Sequence, residues 1–360
     1  MLDYLISSLI ALVLSLGLTP LMILASRKLK IMDMPNARKA HNEPIPLMGG
    51  VAIYLATIAA TVIFLVFFVD GLQINIVIAF LIGISGVTLM GLIDDILSLT
   101  ARRRLVILFI LALIVLVGCL QFYFPTKLMH TNIGLTLLVS LVIVFWMVAI
   151  TNAINLSDGL DGLASCLSLV SVAGFAFIFY LQGRSQLALP TALALFGAIA
   201  GFLPYNLSPA KIFMGDAGSM FIGFMLGILS IMSMSEKSVE FFVVPVFLIL
   251  MPILDTSMAI LRRLLLRRPV MQPDKLHFHH ILNKRFKNHR TVVVILSAFQ
   301  LVFAAIGVVI YRTEWFIVGW IALGCIAVAA VLYSLSTARR IRREEAAAAL
   351  APTADPVKPN

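Results

Sequence analysis

Residues 74–95 read INIVIAFLIGISGVTLMGLIDD, an apolar run that carries no charge until Asp94 and Asp95. A helix needs about 20 mostly apolar residues to cross the hydrocarbon core of a bilayer, and the 20 residues before the acidic pair meet that length. The run is continuous and lacks the apolar–polar alternation of a barrel strand. The stretch therefore predicts a membrane-spanning helix that ends in two carboxylates.

The rest of the chain has a similar composition. Charged residues are 12% of its 360 residues and hydrophobic residues 61%, with a mean hydropathy of +1.06. Soluble domains usually carry roughly 25% charged residues, so this chain has too few charges to cover a water-exposed surface. The composition excludes a soluble protein of this length and predicts an all-α, polytopic integral membrane protein. Strands are not expected, because the apolar runs are continuous.

About 11 transmembrane helices are expected from apolar runs of sufficient length. They are Leu5–Ala25, Leu47–Val69, Ile74–Ile93, Leu105–Phe124, Ile133–Ile150, Leu163–Leu181, Leu187–Tyr205, Ala217–Met234, Phe241–Leu261, Val292–Ile310 and Trp315–Leu335. The N-terminal run contains Asp3 and no Lys or Arg, which favours a retained first span over a cleaved signal peptide. We predict one membrane-embedded domain over residues 1–338. Residues 339–360, charged and then rich in Ala and Pro, are predicted to form a disordered tail.

The basic residues predict the orientation of these spans. Of the 27 Lys and Arg residues, 23 fall in the tail or in loops that follow odd-numbered spans. Because cytoplasmic loops carry an excess of Lys and Arg, the N-terminus is predicted outside and the C-terminus in the cytoplasm. The net charge of +10 therefore indicates a basic membrane face rather than nucleic-acid binding. The polar motifs also follow odd-numbered spans, so the chemistry is expected at the cytoplasmic face of the inner (cytoplasmic) membrane.

The three cysteines indicate neither a disulfide framework nor a zinc–thiolate site. Cys119, Cys166 and Cys325 all lie inside apolar stretches, at no metal-binding spacing.

Asp94 and Asp95 are followed by the basic run Arg102–Arg104. Carboxylates are favoured at helix N-termini, whereas this pair is expected at the negative end of a helix dipole. Two like charges there need a cation or a phosphate partner nearby. The pair can be interpreted as a proton acceptor near a metal-bound substrate, or as an ordinary helix end at the membrane interface.

Two further segments carry oxygen ligands next to apolar spans. In TNAINLSDGLDG (residues 151–162) the polar side chains recur every third residue, which on a helix places neighbours on one face. With no Lys or Arg among them they resemble metal or sugar ligands, although polar capping of two spans is the alternative. In KIFMGDAGS (211–219) Asp216 is either a helix N-cap or a magnesium ligand beside helix amides that bind phosphate. The repeated residues are Asn152, Asn155, Asp158 and Asp161.

Half of the six histidines lie in the segment HFHH, as His277, His279 and His280. A solvated basic loop, a zinc site and a pyrophosphate clamp are the three interpretations. Zinc is disfavoured, because the segment has no neighbouring cysteine and no HExxH pattern. Histidines among basic residues are suited to donate hydrogen bonds to a multiply charged anion. Those neighbours are Lys275, Arg262, Arg263, Arg267 and Arg268.

Asp255 lies inside the ninth predicted span. An intramembrane acid is a functional candidate by default, but the sequence assigns it no role.

Together the acidic, amide and histidine motifs predict a reaction that joins a soluble phosphorylated donor to a lipid phosphate. A transporter of nucleotide-sugars or lipid carriers is the main alternative, but it would place its binding groups near the bilayer midplane, often within inverted repeats, whereas here they gather at one face and no repeat is visible. An intramembrane protease would need a second aspartate at mid-depth facing Asp216, which instead lies at the end of a predicted span.

The ordered set RKxHxxPIPxMGG, Asp94-Asp95, NAINLSDGLDG, FMGDAGS and HFHH resembles the polyprenyl-phosphate N-acetylhexosamine-1-phosphate transferases (glycosyltransferase 4 family), over the chain up to the eleventh span. The resemblance implies transfer of a sugar 1-phosphate from a UDP-amino-sugar to undecaprenyl phosphate, with release of UMP. Magnesium is the implied cofactor, with manganese as an alternative. The separated HxHH pattern is similar to the N-acetylglucosamine branch, whereas the UDP-MurNAc-pentapeptide branch typically has three consecutive histidines. UDP-GalNAc or a deoxy-amino sugar remains an alternative donor.

The resemblance also implies roles for individual residues. Asp94 would position or deprotonate the lipid phosphate with support from Asp95, and Asp216 would bind the metal with Asn155 close by. Phe213 would stack on uracil, and Asp158, Asp161 and Lys39 would bind near the nucleotide. The pyrophosphate and sugar would contact His277, His279, His280, Lys275 and His41. Membrane lipids are expected partners and nucleic acid is not, and a homodimer is one option for the oligomeric state.

Overall fold

The computed structural model describes residues 2–35, 43–71, 74–118, 133–183, 186–234, 239–269 and 276–350. This part of the chain forms thirteen α-helices, one short 3₁₀ helix (Val239–Phe242) and one pair of two-residue strands. In order they are α1 (Leu2–Leu29), β1 (Met32–Asp33), β2 (Ile45–Pro46), α2 (Gly49–Phe68), α3 (Ile74–Leu97), α4 (Ala101–Gly118), α5 (Ile133–Ser157), α6 (Leu163–Gln182), α7 (Ala188–Asn206), α8 (Gly215–Met232), α9 (Val243–Leu248), α10 (Leu250–Leu265), α11 (Phe278–Phe286), α12 (His289–Thr313) and α13 (Phe316–Leu350).

Nine helices of the described chain are long and apolar enough to cross a membrane: α1, α2, α3, α5, α6, α7, α8, α12 and α13. An all-helical polytopic membrane protein is therefore confirmed, whereas the number eleven and the orientation stay predictions. The two remaining predicted spans are also helical where the structure describes them. Helix α4 carries Arg102–Arg104 in its first turn, and residues 119–124 of that span lie outside the described residues. The segment 241–261 is divided at Ile249 into α9 and α10.

Helix α8 lies at the centre of the bundle. Every residue from Ala217 to Met232 is buried, because α2, α3, α5 and α6 all pack against this helix. Small residues let the neighbouring backbones come close. A Cβ on Gly50 of α2, for example, would lie 2.1 Å from the backbone nitrogen of Gly218. This close contact fixes the start of α8, where Asp216 lies, against the start of α2.

Two predictions about local structure are wrong. Strands were not expected, yet Met32–Asp33 pairs antiparallel with Ile45–Pro46, because the loop between α1 and α2 lies outside the apolar runs and its backbone pairs with itself. A disordered tail was predicted from residue 339, but α13 continues to Leu350. Alanine has the highest helix propensity, and Arg340 donates to Glu344 at 2.8 Å, so the helix extends through residues 339–350. Residues 351–360 lie outside the described residues.

The predicted sidedness can be tested with single cysteines in a background that lacks the three native ones. Glu43, Lys284 and Thr313 are exposed at ends of helices or loops. Because of the basic-residue distribution, we expect Glu43→Cys and Lys284→Cys to react with an impermeant maleimide only from the cytoplasmic side, and Thr313→Cys only from outside. Labelling of Glu43→Cys and Thr313→Cys from the same side would contradict the predicted topology.

Candidate active site

The end of α3 and the start of α8 are joined through Asp95. Its Oδ1 accepts a hydrogen bond from the backbone N–H of Asp216 at 2.8 Å, and its Oδ2 accepts one from Ala217 at 3.1 Å. Gly215 has φ +68°, and a Cβ there would lie 2.5 Å from the Asp95 carboxylate. Asp95 thus caps α8 from another helix, with both carboxyl oxygens at the positive end of the helix dipole.

This cap corrects two expectations about the segment KIFMGDAGS. Asp216 is not the N-cap of α8; it lies in the first turn, and no side chain of the helix's own N-cap residue makes a capping bond. The amides of Asp216 and Ala217 are also not free for phosphate, because Asp95 already accepts from both. The Asp216 side chain is consequently available for other partners.

Asp94 points to a different partner from its neighbour Asp95. It is 5% exposed, and it accepts hydrogen bonds from Arg104 Nη1 at 2.9 Å and from the Leu99 N–H at 2.6 Å. The same Arg104 nitrogen lies 3.6 Å from Asp216 Oδ2. Buried charges need a paired opposite charge, and Arg104 supplies it to both aspartates. The sequence indicated that a cation was needed here, but Arg104 was not predicted as a site residue.

Asn155, near the end of α5, contacts the other oxygen of Asp216. Its Nδ2 donates to Asp216 Oδ1 at 2.7 Å and to Ser219 Oγ at 2.9 Å. Both amide hydrogens are therefore used within the protein, and the Asn155 carbonyl oxygen remains an acceptor. We call Asp94, Arg104, Asn155 and Asp216 the carboxylate cluster. Asn155 therefore lies next to Asp216, as the resemblance implied.

The donor atoms of this cluster fit a magnesium ion, although they form no closed cage. Within the described residues no group of three or more His, Cys, Asp or Glu side chains is placed to hold a metal. Magnesium, however, usually keeps several waters and binds through one or two carboxylates plus substrate phosphates. The Asp216 carboxylate and the Asn155 carbonyl oxygen are hard oxygen donors of that kind.

The loop after α5 carries Asp158 and Asp161. Helix α5 ends at Ser157, so the predicted series of polar residues on one helical face stops there. Burial raises the pKa of Asp158 to about 7, and the nearby carboxylates of Asp216 and Asp161 act in the same direction. The negative charge of Asp216 therefore favours the protonated form of Asp158.

The other two members of the polar series have structural partners. Asp161 Oδ2 accepts a hydrogen bond from the Ala210 N–H at 3.1 Å, which ties this loop to the one before α8. Asn152 Nδ2 donates to the Val148 carbonyl of its own helix at 2.7 Å. Asn155 and Asp158 are therefore the members of the series that lie near Asp216, whereas the Asn152 amide bonds within its own helix.

The PIPxMGG and FMGD segments form one unit. The Phe213 N–H donates to the Pro46 carbonyl at 2.8 Å, and the Gly49 N–H donates to the Phe213 carbonyl at 3.0 Å. The Phe213 side chain is half-buried. Lys39 and His41, predicted near the donor, lie outside the described residues, as does Lys275.

Asp255 on α10 holds the helix that carries the histidines. Its Oδ1 accepts the Phe278 N–H at 2.8 Å, and its Oδ2 lies 3.2 Å from His277 Nδ1. Asp255 therefore caps α11 from a second helix and orients His277 by the same carboxylate. This contact assigns a role to the intramembrane acid that the sequence flagged without explaining.

His279 links the histidine helix to the loop after α5. It is 2% exposed, and a Cβ on Gly159 would lie 2.5 Å from its Nε2. Burial lowers the pKa of His279 to about 4, with His280 next in effect. The imidazole is therefore neutral at neutral pH, and its buried Nδ1 has no hydrogen-bond partner within the described residues. We call Asp255, His277, His279 and His280 the histidine cluster.

Two arginines of the predicted basic loop have structural partners. Arg262 Nη2 donates to the Leu276 carbonyl at 3.0 Å, and Arg263 Nη1 donates to the Pro269 carbonyl at 3.1 Å. Both side chains are buried. They fix the backbone on either side of the residues 270–275 and so help to place α11.

Comparisons with known proteins bear on the identity of the chain. The family model of glycosyl transferase family 4 matches residues 77–234, which include the carboxylate cluster. The chain is 34% identical over 314 residues to the probable undecaprenyl-phosphate N-acetylglucosaminyl 1-phosphate transferase of Bacillus subtilis (strain 168), with 86% of each chain covered. It is also 34% identical over 253 residues to the phospho-N-acetylmuramoyl-pentapeptide-transferase of Staphylococcus aureus (strain MSSA476), with 65% of this chain and 78% of that one covered. The chain therefore belongs to glycosyl transferase family 4 and is a membrane-embedded phospho-sugar transferase.

Proposed function

We propose that the protein transfers N-acetylglucosamine 1-phosphate from UDP-GlcNAc to undecaprenyl phosphate, giving undecaprenyl-diphosphate-GlcNAc and UMP. The observation that carries the proposal is the carboxylate cluster, in which Arg104 lies 2.9 Å from Asp94 and 3.6 Å from Asp216. A cation and hard oxygen donors at helix ends suit a reaction between two phosphates. The match to the Bacillus subtilis relative over 86% of both chains favours the GlcNAc donor.

The reaction is an in-line displacement at phosphorus. An oxygen of the lipid phosphate forms a bond to the donor β-phosphorus, and the bond from that phosphorus to the bridging oxygen breaks as UMP leaves. A phosphate monoester has its second pKa near 6, so the attacking oxygen is largely deprotonated at neutral pH. Asp94, held by Arg104 at 2.9 Å, therefore acts by orienting the acceptor more than by removing a proton.

The other residues bind the donor in this proposal. Asp216 and Asn155 would hold magnesium, which supplies neutralising charge on the pyrophosphate when bound. The histidine cluster would donate hydrogen bonds to the pyrophosphate and sugar, with His279 neutral because of its lowered pKa. Phe213 would stack on uracil, and Asp158 with Asp161 would lie near the nucleotide. We place this site at the cytoplasmic face, where the basic loops are predicted.

A second candidate donor is UDP-MurNAc-pentapeptide. The observation that favours it is the 34% identity to the Staphylococcus aureus phospho-N-acetylmuramoyl-pentapeptide-transferase. The HFHH spacing favours UDP-GlcNAc instead, because in the resembling family three consecutive histidines accompany the peptide-bearing donor. Selectivity for the sugar has to come from neutral contacts, because charged groups that bind the pyrophosphate attract every UDP-sugar. This applies most to UDP-GalNAc, which differs from UDP-GlcNAc by one epimeric hydroxyl.

The proposal is tested by UMP release from purified full-length protein with undecaprenyl phosphate, magnesium and a panel of UDP-sugars. We expect efficient turnover of UDP-GlcNAc, little of UDP-MurNAc-pentapeptide, and loss of activity with EDTA that added magnesium restores. The panel also contains UDP-GalNAc, with manganese as a second metal. Use of the pentapeptide donor without use of UDP-GlcNAc would contradict the sugar assignment, and activity that survives EDTA would contradict the metal requirement.

A further inference from the structure

The ninth apolar segment is interrupted at Ile249, between α9 and α10. The cause is Pro252, which has no N–H and so cannot donate to the carbonyl of Leu248 four residues earlier. The first N–H groups of α10, such as that of Met251, also have no partner inside their own helix. Backbone groups left unpaired in an apolar interior are costly, so this break needs polar partners from another element.

Gln300 of α12 supplies those partners. Its side chain is fully buried, at 0% exposure. Its Nε2 donates to the Leu248 carbonyl at 2.6 Å, and its Oε1 accepts from the Met251 N–H at 3.0 Å. A glutamine amide has both donors and an acceptor, so one side chain bonds to both sides of the break. The same Nε2 lies 3.2 Å from Ser171 Oγ of α6, which anchors the amide.

The break is directly connected to the histidine cluster. Asp255 follows Met251 by four residues, about one helical turn along α10. Asp255 in turn holds the Phe278 N–H and lies 3.2 Å from His277. The direction in which α10 leaves the break therefore sets where Asp255 lies, and with it the start of α11. A small rotation at Ile249 would displace the histidines from the loop that carries Gly159.

We propose that Gln300 is a positioning residue for transfer: by bonding to both sides of the α9–α10 break, it sets the orientation of α10 and thereby places Asp255 and the histidine cluster. The effect of Gln300 on catalysis rests on the proposed function, because that proposal assigns the histidines to the donor pyrophosphate. The effect of Gln300 on the position of α11 is independent of the proposed function.

The kinetic test uses Gln300→Met, which keeps the chain length and removes both polar groups. We expect a higher KM for UDP-GlcNAc and a lower kcat, together at least a tenfold loss of kcat/KM, with an unchanged KM for undecaprenyl phosphate. Gln300→Glu should recover most of this loss, since a buried carboxyl favours its neutral form, which keeps one donor and one acceptor. Unchanged donor KM and kcat per folded enzyme in Gln300→Met, or no recovery in Gln300→Glu, would overturn the proposal.

Gln182→Met is the matched control. Gln182 also donates to a backbone carbonyl outside its own helix, that of Ser233 just after α8, at 2.7 Å. It lies at the C-terminal end of α6, roughly 28 Å from Leu163 at 1.5 Å per residue. We expect its kinetic constants to equal those of the wild type. A general loss of packing would instead lower the folded fraction of both variants and leave every KM unchanged.

A second readout needs no substrate. Leu282 of α11 packs on the apolar cluster formed with Leu163 and Leu167, so a cysteine at this position reports whether the helix stays in place. In a background without native cysteines, Leu282→Cys should react faster with an impermeant maleimide when Gln300→Met is added, and not when Gln182→Met is added. Equal rates would contradict the positioning role even if UDP-GlcNAc proved not to be the donor.

Discussion

We expect Asp216→Asn to lower the rate of UMP formation by about 10³-fold, because it replaces a charged oxygen donor at the proposed metal site with a neutral one. A metal ion that polarises a phosphoryl oxygen contributes several kcal/mol, and about 4 kcal/mol corresponds to about 10³-fold in rate. The substitution keeps the volume of the side chain. It also keeps an oxygen that can accept from Asn155 Nδ2, which lies 2.7 Å from Asp216 Oδ1 in the wild type. The start of α8 also keeps its cap, because Asp95 accepts from backbone amides.

The measurement is UMP release at several magnesium concentrations, together with thermal unfolding in detergent. Asp70→Asn is the matched control: Asp70 is exposed just after α2 ends, at the end of that helix away from Gly50. We expect wild-type rates for the control and an unchanged unfolding temperature for both variants. If Asp216→Asn turns over normally with the wild-type dependence on magnesium, Asp216 is not a metal ligand.

The apolar helices, and the location of the polar motifs at one membrane face, could be predicted from sequence. Both follow from local patterns, the length of each apolar run and the polar residues next to it. Helix length follows from the apolar run, and the polar motifs all lie beside loops that follow odd-numbered predicted spans, which assigns them to one membrane face. This is why Asp94, Asn155 and Asp216 were expected together although 61 residues separate the latter two.

The specific partners of these residues could not be predicted, because they depend on the packing of helices that are distant in sequence. Asp95 and Asp94 are adjacent, yet one caps α8 and the other bonds to Arg104. Only the relative rotation of α3, α4 and α8 decides which carboxylate meets which partner. The sequence showed the basic run Arg102–Arg104 near the two aspartates, but it did not show which of the three arginines pairs with Asp94.

The break at Ile249 and the role of Asp255 were missed for a different reason. Pro252 predicts a disturbed helix. The residues from 241 to 261 are apolar on average, however, so they were interpreted as one continuous span. Asp255 was recognised as costly inside a membrane, whereas its partners, Phe278 and His277, lie 23 and 22 residues further along the chain. Capping between two helices in this way leaves no pattern in the sequence of either.

Asp255→Ala should lower kcat/KM for the UDP-sugar by roughly 100-fold, since displacement of a positioned group by about 1 Å can cost that much. The variant removes both the cap on Phe278 and the partner of His277, whereas Asp255→Asn keeps an oxygen for the cap and should lose less than tenfold. A lost cap costs about 1 kcal/mol, too little to unfold the bundle. UMP release over a range of UDP-GlcNAc concentrations measures the effect, with Ser257→Ala, exposed on the same helix, as control. Equal losses in the alanine and asparagine variants would show that His277, and not the cap of α11, is what Asp255 serves.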